Sequence, residues 1–374
     1  MLVDIIDMND YNLKEPLVDY PWKAEAERII TWAKNKTNEY RTFAFDLCMS
    51  LAYIDSTSGL EKHMQTCPSC PDGFNGHIGF INLCSPCYEK SNIWQYQKAA
   101  KPQSGALGKL SSEMILKFVE IIFDEFKEVY SIGGTEVADA KLIDNEDRII
   151  LAEVKSAPLL TFPLILKSNI EDKEHISGNL TSSQFRELES AIYMHNQLYI
   201  PLGQIKSEYW PFKQVADFLE NESNSNDIEK MLEIWTEAKR AYSQKDRDSS
   251  YFYLANASGG PPKIAKERDN WPSKESISDS KTSAGMDRTD DIKKGIYQSL
   301  KLGVSNYKNR NIETALISNL PALRHGSEYV DPFVNILWGE DNSLVREGDL
   351  EYINKDDLRY IFDHLITLDS PIIR

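Results

Sequence analysis

Three side chains in the middle of the chain could cooperate in metal-assisted chemistry. They are Asp139, in EVADAKLI, and Glu153 with Lys155, in RIILAEVKS. In an extended strand alternate side chains share a face, so Glu153 and Lys155 point the same way while Ile150, Ala152 and Val154 point to the other. A polar turn at Asp144-Asn145-Glu146-Asp147 makes the two strands antiparallel and brings Asp139 near the register of Glu153. Two carboxylates at that spacing suit Mg²⁺, which keeps several waters and takes one or two carboxylates beside phosphate oxygens. Such an ion stabilises charge on a phosphate and makes a bound water more acidic. A lysine beside it can hold or help deprotonate that water and offset charge on the phosphorane. The chemistry implied is phosphodiester hydrolysis.

A second set is Cys67-x2-Cys70, thirteen residues, then Cys84-x2-Cys87. Two such pairs satisfy tetrahedral Zn²⁺ through four thiolates, with no open position, so the site is expected to be structural. Pro68, Pro71 and Pro86 favour the turns, and the loop-rich segment 63–90 has little core of its own without a metal. His63 and His77 lie close enough to serve as substitute ligands. Cys48 lies in an apolar helical stretch and reads as a small core residue. Paired cysteines with one left over fit metal binding in a reducing cytoplasm better than a disulfide framework.

The elements that must position these residues follow from periodicity. Residues 22–54 read as helical. The stretch 110–128 forms an amphipathic helix with Ser111 or Ser112 at its start. Strands follow near 129–134, 136–143 and 148–156. SSQFRELESAIYMHNQLYI and NDIEKMLEIWTEAKRAYSQK read as helical, and the Ser-, Gly- and Pro-rich stretch around 258–285 as a loop. A helix over 290–303, a strand over 312–318 and a closing helix complete the chain.

This succession, with Asp139 and Glu153-Val154-Lys155 on neighbouring strands, resembles the PD-(D/E)xK nuclease superfamily, and within it the type II restriction endonucleases. The proline that usually precedes the first aspartate is absent; Val137-Ala138 stand there. The resemblance covers 110–156 and 290–318. It implies an α/β (α+β mixed) fold, a central mixed sheet flanked by helices in the order helix, three strands, helix, strand. It also implies two further site residues: Glu113 on the first core helix, as an acid assisting the metal, and Gln298 on the later one. Lys294 and Lys301 on that later helix are placed to touch phosphate. The expected organisation is a helical N-terminal region with the zinc module (1–105), a nuclease core (106–156 plus 289–325), a mostly helical insertion for recognition or dimerisation (157–288) and a C-terminal helical region (326–374).

The function implied is Mg²⁺-dependent, site-specific cleavage of double-stranded DNA by a homodimer, leaving 5′-phosphate and 3′-hydroxyl ends. A cognate DNA methyltransferase is expected in the same system. The alternatives are a structure-directed repair or junction nuclease and a non-catalytic zinc-stabilised interaction module. The net charge of −16 excludes a general nucleic-acid coat protein. It is compatible with a DNA enzyme, because only the surface facing phosphates must be basic; residues 257–325 hold twelve Lys/Arg against eight Asp/Glu. No run of eighteen apolar residues and no basic-then-apolar start occur, so no membrane span and no signal peptide are expected, and a cytoplasmic location follows.

Overall fold

The computed structural model describes residues 12–134, 138–168, 180–205, 208–268, 270–278, 283–287, 289–339, 344–346 and 358–374. The chain forms two compact units, each built from separate chain segments. The first comprises 1–19, 111–157 and 284–374; the second comprises 20–110 and 158–283.

The first unit is organised on a mixed six-stranded sheet. Its strands are β1 (Leu13–Lys14), β2 (Phe126–Ile132), β3 (Ala140–Asp144), β4 (Ile149–Val154), β5 (Ile312–Ser318) and β6 (His364–Thr367), side by side in that order. The first four run antiparallel in succession, and β4, β5 and β6 run parallel. Parallel neighbours need a crossover. Between β4 and β5 that crossover contains the whole 158–283 segment and then helix α2 (Thr289–Ser305). Helix α1 (Ser104–Ile122) precedes β2, and its residues from Ser111 onward belong to this unit. The core on one side gathers Met286, Ile292, Leu316, Val330, Ile361 and Phe362.

The expected succession of helix, three antiparallel strands, helix and strand is therefore present, with a central mixed sheet flanked by helices. Boundaries differ. Helix α1 ends at Ile122, six residues before the expected end, and FKEVYSI is extended, paired along β3 with a bulge between Phe126 and Glu128. The expected strand 136–143 begins outside the described residues, and its described part starts at Ala140.

The second unit contains a buried helix, Asn38–Ser56, in which every residue from Thr42 to Ile54 is enclosed. Such all-round burial marks a central element, not an amphipathic surface one. Its sheet is antiparallel, in the order Gln65–Thr66, Gly76–Ile78, Leu164–Lys167, Glu189–His195, Leu198–Gln204. The cysteine segment and the 157–288 insertion thus share one sheet.

Two helical expectations are corrected. In SSQFRELESAIYMHNQLYI only Ser182–Arg186 is helical, capped by Thr181, and a hairpin follows. The run ESAIYMH is buried on both faces, and a short continuous apolar run does not distinguish helix from strand. The deciding local signal is Asn196-Gln197. Both adopt left-handed φ (51° and 62°), the geometry of a two-residue hairpin turn. Among the described residues the closing helix is also not found. Two one-turn helices, Gly326–Tyr329 and Asp331–Val334, are followed by short strands, the last being β6 at the sheet edge. Part of that expected helix lies outside the described residues. Its apolar residues repeat at helical spacing, but β6 pairs them along β5, which satisfies the open ladder there.

Candidate active site and cysteine cluster

The hairpin joining β3 to β4 sets the register of the central residues. Asp144 Oδ1 accepts from the amides of Glu146 (2.9 Å) and Arg148 (2.8 Å), and Arg148 clamps Asp144 (2.7 Å) and Glu313 (2.7 Å). From that turn the ladder runs Ile143 opposite Ile149 to Ala140 opposite Ala152. One step further, the Asp139 amide donates to Ala152 O (3.0 Å) while its carbonyl accepts from Ile132 (2.9 Å). Asp139 and Glu153 thereby end neighbouring strands side by side.

The side chains converge. Asp139 Oδ2 accepts from the Val154 amide (2.9 Å) and from Lys155 Nζ (3.4 Å). Lys155 Nζ also donates to Glu153 Oε1 (2.5 Å) and to Val154 O (3.1 Å). The cluster is graded in exposure. The Glu153 side chain is 10% exposed, Lys155 21% and Asp139 45%, so the group opens to solvent through Asp139. Burial and the adjacent Asp139 charge push the Glu153 carboxyl up, against the pull of Lys155. Burial works to discharge Lys155, but the two carboxylates outweigh it and hold the ammonium protonated above its ordinary range.

Three further devices fix this corner. Strand β4 is locked to β5 at its end, since the Lys155 amide donates to Ile317 O (2.9 Å). Asn319, fully buried, grips Ala157 twice, accepting from its amide (3.1 Å) and donating to its carbonyl (2.8 Å). Ser111 and Ser156 exchange hydroxyl bonds (Oγ–Oγ 2.8 Å) between α1 and the strand exit. Sequence reasoning missed Asn319 and Ser156, and took Ser111 or Ser112 for the start of a helix that in fact begins at Ser104. The Asn after the apolar run ALIS was the available signal, since a buried amide needs partners at both ends.

Helix α2 packs on the same face. A β-carbon at Gly295 would stand 2.9 Å from Leu316 Cδ1 and 3.7 Å from Cγ of both Glu153 and Lys155. The glycine lets the helix backbone lie against the two charged stems. Gln298 is one turn further along α2, and its Oε1 is buried with no hydrogen-bond partner. Glu113 lies elsewhere in its bonding: Oε2 accepts from the Leu17 amide (2.9 Å). Asp139, Glu153 and Lys155 are thus brought together, Gln298 lies on the helix that covers them, and Glu113 secures the N-terminal segment.

The cysteines converge in the second unit. Cys67 Sγ stands 3.2 Å from Cys84 Sγ and 3.3 Å from Cys87 Sγ, and no disulfide links them. All three are buried and positioned to hold a metal ion; among the described residues they form the only such group of three or more. Cys67 ends the strand Gln65–Thr66, while Cys84 caps and Cys87 lies within helix Ser85–Ser91, which Pro86 opens. Cys70 is buried in the same cluster, and its thiol donates to Gly76 O (3.7 Å). Thiol hydrogen bonds from Cys70, Cys84 and Cys87 push Cys67 well below the ordinary thiol range, while the same contacts with Cys67 push Cys84 and Cys87 up, so one charge is shared among the three sulfurs. His77 contacts Gln97 through Nδ1 and is not among the converging ligands. Cys48 is enclosed in the central helix, where burial pushes its thiol up, as befits a core residue.

No helix among the described residues is long and apolar enough to cross a membrane. Comparison with protein-family models, with curated proteins and with solved structures finds no match to this chain.

Proposed function

We propose that the first unit is a nuclease of the PD-(D/E)xK type, acting on double-stranded DNA as a type II restriction endonuclease. One observation carries the reading: Asp139, Glu153 and Lys155 meet at the ends of adjacent strands, with Lys155 Nζ between the two carboxylates. The helix–three strands–helix–strand order around them supports it.

Asp139 and Glu153 are the residues that would hold Mg²⁺, which would supply charge neutralisation at the phosphate and a more acidic bound water. Asp139, the more exposed carboxylate, faces incoming substrate. Glu153, more enclosed, is kept in place by Lys155. Lys155 remains a cation and offsets charge that develops on the phosphate in the transition state. Water oxygen bonds to phosphorus in line, the bond from phosphorus to the 3′ oxygen breaks, and that oxygen leaves protonated. The products are a 5′-phosphate and a 3′-hydroxyl. Cutting both strands at a palindromic site calls for a symmetric homodimer. A DNA methyltransferase encoded beside this protein would be an independent sign of the same system.

In the second unit we propose that Cys67, Cys84 and Cys87, with Cys70 as the fourth ligand, hold a structural zinc. Thiolates about 2.3 Å from a shared ion stand close to one another, as these do.

The test is incubation of plasmid and phage DNA with wild type and Asp139→Ala, with and without Mg²⁺. Discrete fragments from wild type with Mg²⁺ only are expected. Mg²⁺-dependent smearing would replace site-specific by structure-directed or unspecific cleavage. Absence of cutting on any DNA would leave a zinc-stabilised interaction protein as the better account.

A further inference from the structure

Residues 292–312 carry Lys293, Lys294, Lys301, Lys308 and Arg310 and no acidic residue, in a chain of net charge −16. Most of that run is helix α2. Its inner side consists of Ile292, Gly295, Ser299 and Leu302, all buried. Its outer side presents Lys293, Lys294, Tyr297, Lys301 and Val304, all exposed. Spacings of three and four residues put these five on one stripe.

Two features mark the stripe as unusual surface. Tyr297 is 63% exposed and Val304 55%, the highest values among the exposed large hydrophobic residues. Among the described residues no carboxylate pairs with Lys293, Lys294 or Lys301; Lys293 lies instead over the Tyr329 ring at 5.0 Å. Some surface lysines elsewhere are neutralised by neighbours, as Lys213 is by Asp217 and Lys263 by Glu267. Unpaired cations flanking an exposed tyrosine complement a polyanion.

We infer that this stripe is the track on which the phosphates of duplex DNA lie as they lead to the Asp139–Glu153–Lys155 site. The choice of DNA rests on the proposed nuclease reading; the stripe itself rests on charge and exposure. Lys294 and Lys301 are two helical turns apart, about 10.5 Å at 1.5 Å per residue. That rise spans about three phosphates of one strand at 3.4 Å of axis each. The opposite side of the same helix packs on the stems of Glu153 and Lys155 through Gly295, so the stripe lies one helix width, about 10–12 Å, from the site.

The experiment measures binding without cleavage. A fluorescein-labelled 30-base-pair duplex is titrated in EDTA at several salt concentrations, with anisotropy as readout. Each phosphate-bound lysine contributes about 0.9 to the slope of log affinity against log salt. The triple variant Lys293→Gln/Lys294→Gln/Lys301→Gln is expected to flatten that slope by about 2.7 and to bind roughly tenfold or more weakly at low salt. Tyr297→Ala should weaken binding with the slope unchanged. Lys36→Gln/Lys98→Gln, exposed lysines of the other unit, should change neither. An unaltered slope in the triple variant, an equal loss in the control pair, or preferential displacement of the duplex by single-stranded RNA would overturn the inference. The two readings fail separately. A wild type that binds DNA through these lysines yet never cuts it loses only the nuclease assignment. A triple variant that binds and cuts like wild type loses only the track.

Discussion

Replacing Gly295 by alanine probes the contact that seats the candidate catalytic strand. In an exposed helix interior the change would stabilise the protein by about 1 kcal/mol, because glycine loses more backbone freedom on folding. Here the new methyl would stand 2.9 Å from Leu316 Cδ1, and Leu316 is fully buried on β5 directly opposite Glu153. Overpacking of that kind costs roughly 1–3 kcal/mol. The two effects oppose, and the expected net result is a loss of about 1 kcal/mol. Leu316→Val removes the δ-carbons and relieves the clash at its own cost of about 1 kcal/mol. In that background Gly295→Ala should become stabilising by about 1 kcal/mol, so the cycle shows a coupling near 2 kcal/mol. Urea unfolding of the four proteins measures it. The methyl would also lie 3.7 Å from Cγ of Glu153 and of Lys155, which is ordinary contact, so Gly295→Ala should leave those side chains in place. If Gly295→Ala stabilises the wild-type chain by the full helix-propensity amount, α2 does not lie against Leu316, and the seating of Glu153 and Lys155 described above is wrong.

Two predictions concern the second unit. The purified chain should hold one tightly bound zinc by elemental mass spectrometry. Cys84→Ser should lose it and melt at a lower temperature, as wild type should after chelation; full zinc occupancy in Cys84→Ser would remove that residue from the ligand set. Asp46 is fully buried and accepts from the amides of Leu159 (3.0 Å) and Leu160 (2.9 Å) and from Trp235 Nε1 (2.7 Å). Burial pushes its carboxyl up to about 7, against those donors. In the unfolded chain it titrates near 3.9, so between these values the folded protein holds a proton that the unfolded one has lost. Stability from this group is therefore full below about pH 4 and falls as pH rises towards 7, by roughly 4 kcal/mol in all. Subtracting the Asp46→Asn profile from wild type across that range should reveal this slope; parallel profiles would contradict it.

Much of the first unit is written in local pattern. The amphipathic spacing of LSSEMILKFVEII, the continuous apolar run IILA with Glu153 and Lys155 two residues apart at its end, and the polar turn at Asp144–Asp147 suffice to place Asp139, Glu153 and Lys155 together. A two-strand register propagates two residues at a time from its turn, so a local signal fixes a distant pairing. The cysteine spacing was equally legible, because a shared ion demands close pairs, and three of those sulfurs meet. What only the tertiary structure decided has a different origin. The ESAIYMH run is apolar on both faces, and its state depends on the strands it pairs with, one of which, Leu164–Lys167, lies outside its own hairpin. The end of the chain became a sheet edge because β5 had an open ladder beside it. Glu113 and Asn319 could each have served several partners by type. The Leu17 amide took the first and the Ala157 peptide the second, because a buried polar atom is satisfied by whatever the packed chain brings within reach, and sequence spacing carries no record of that neighbour.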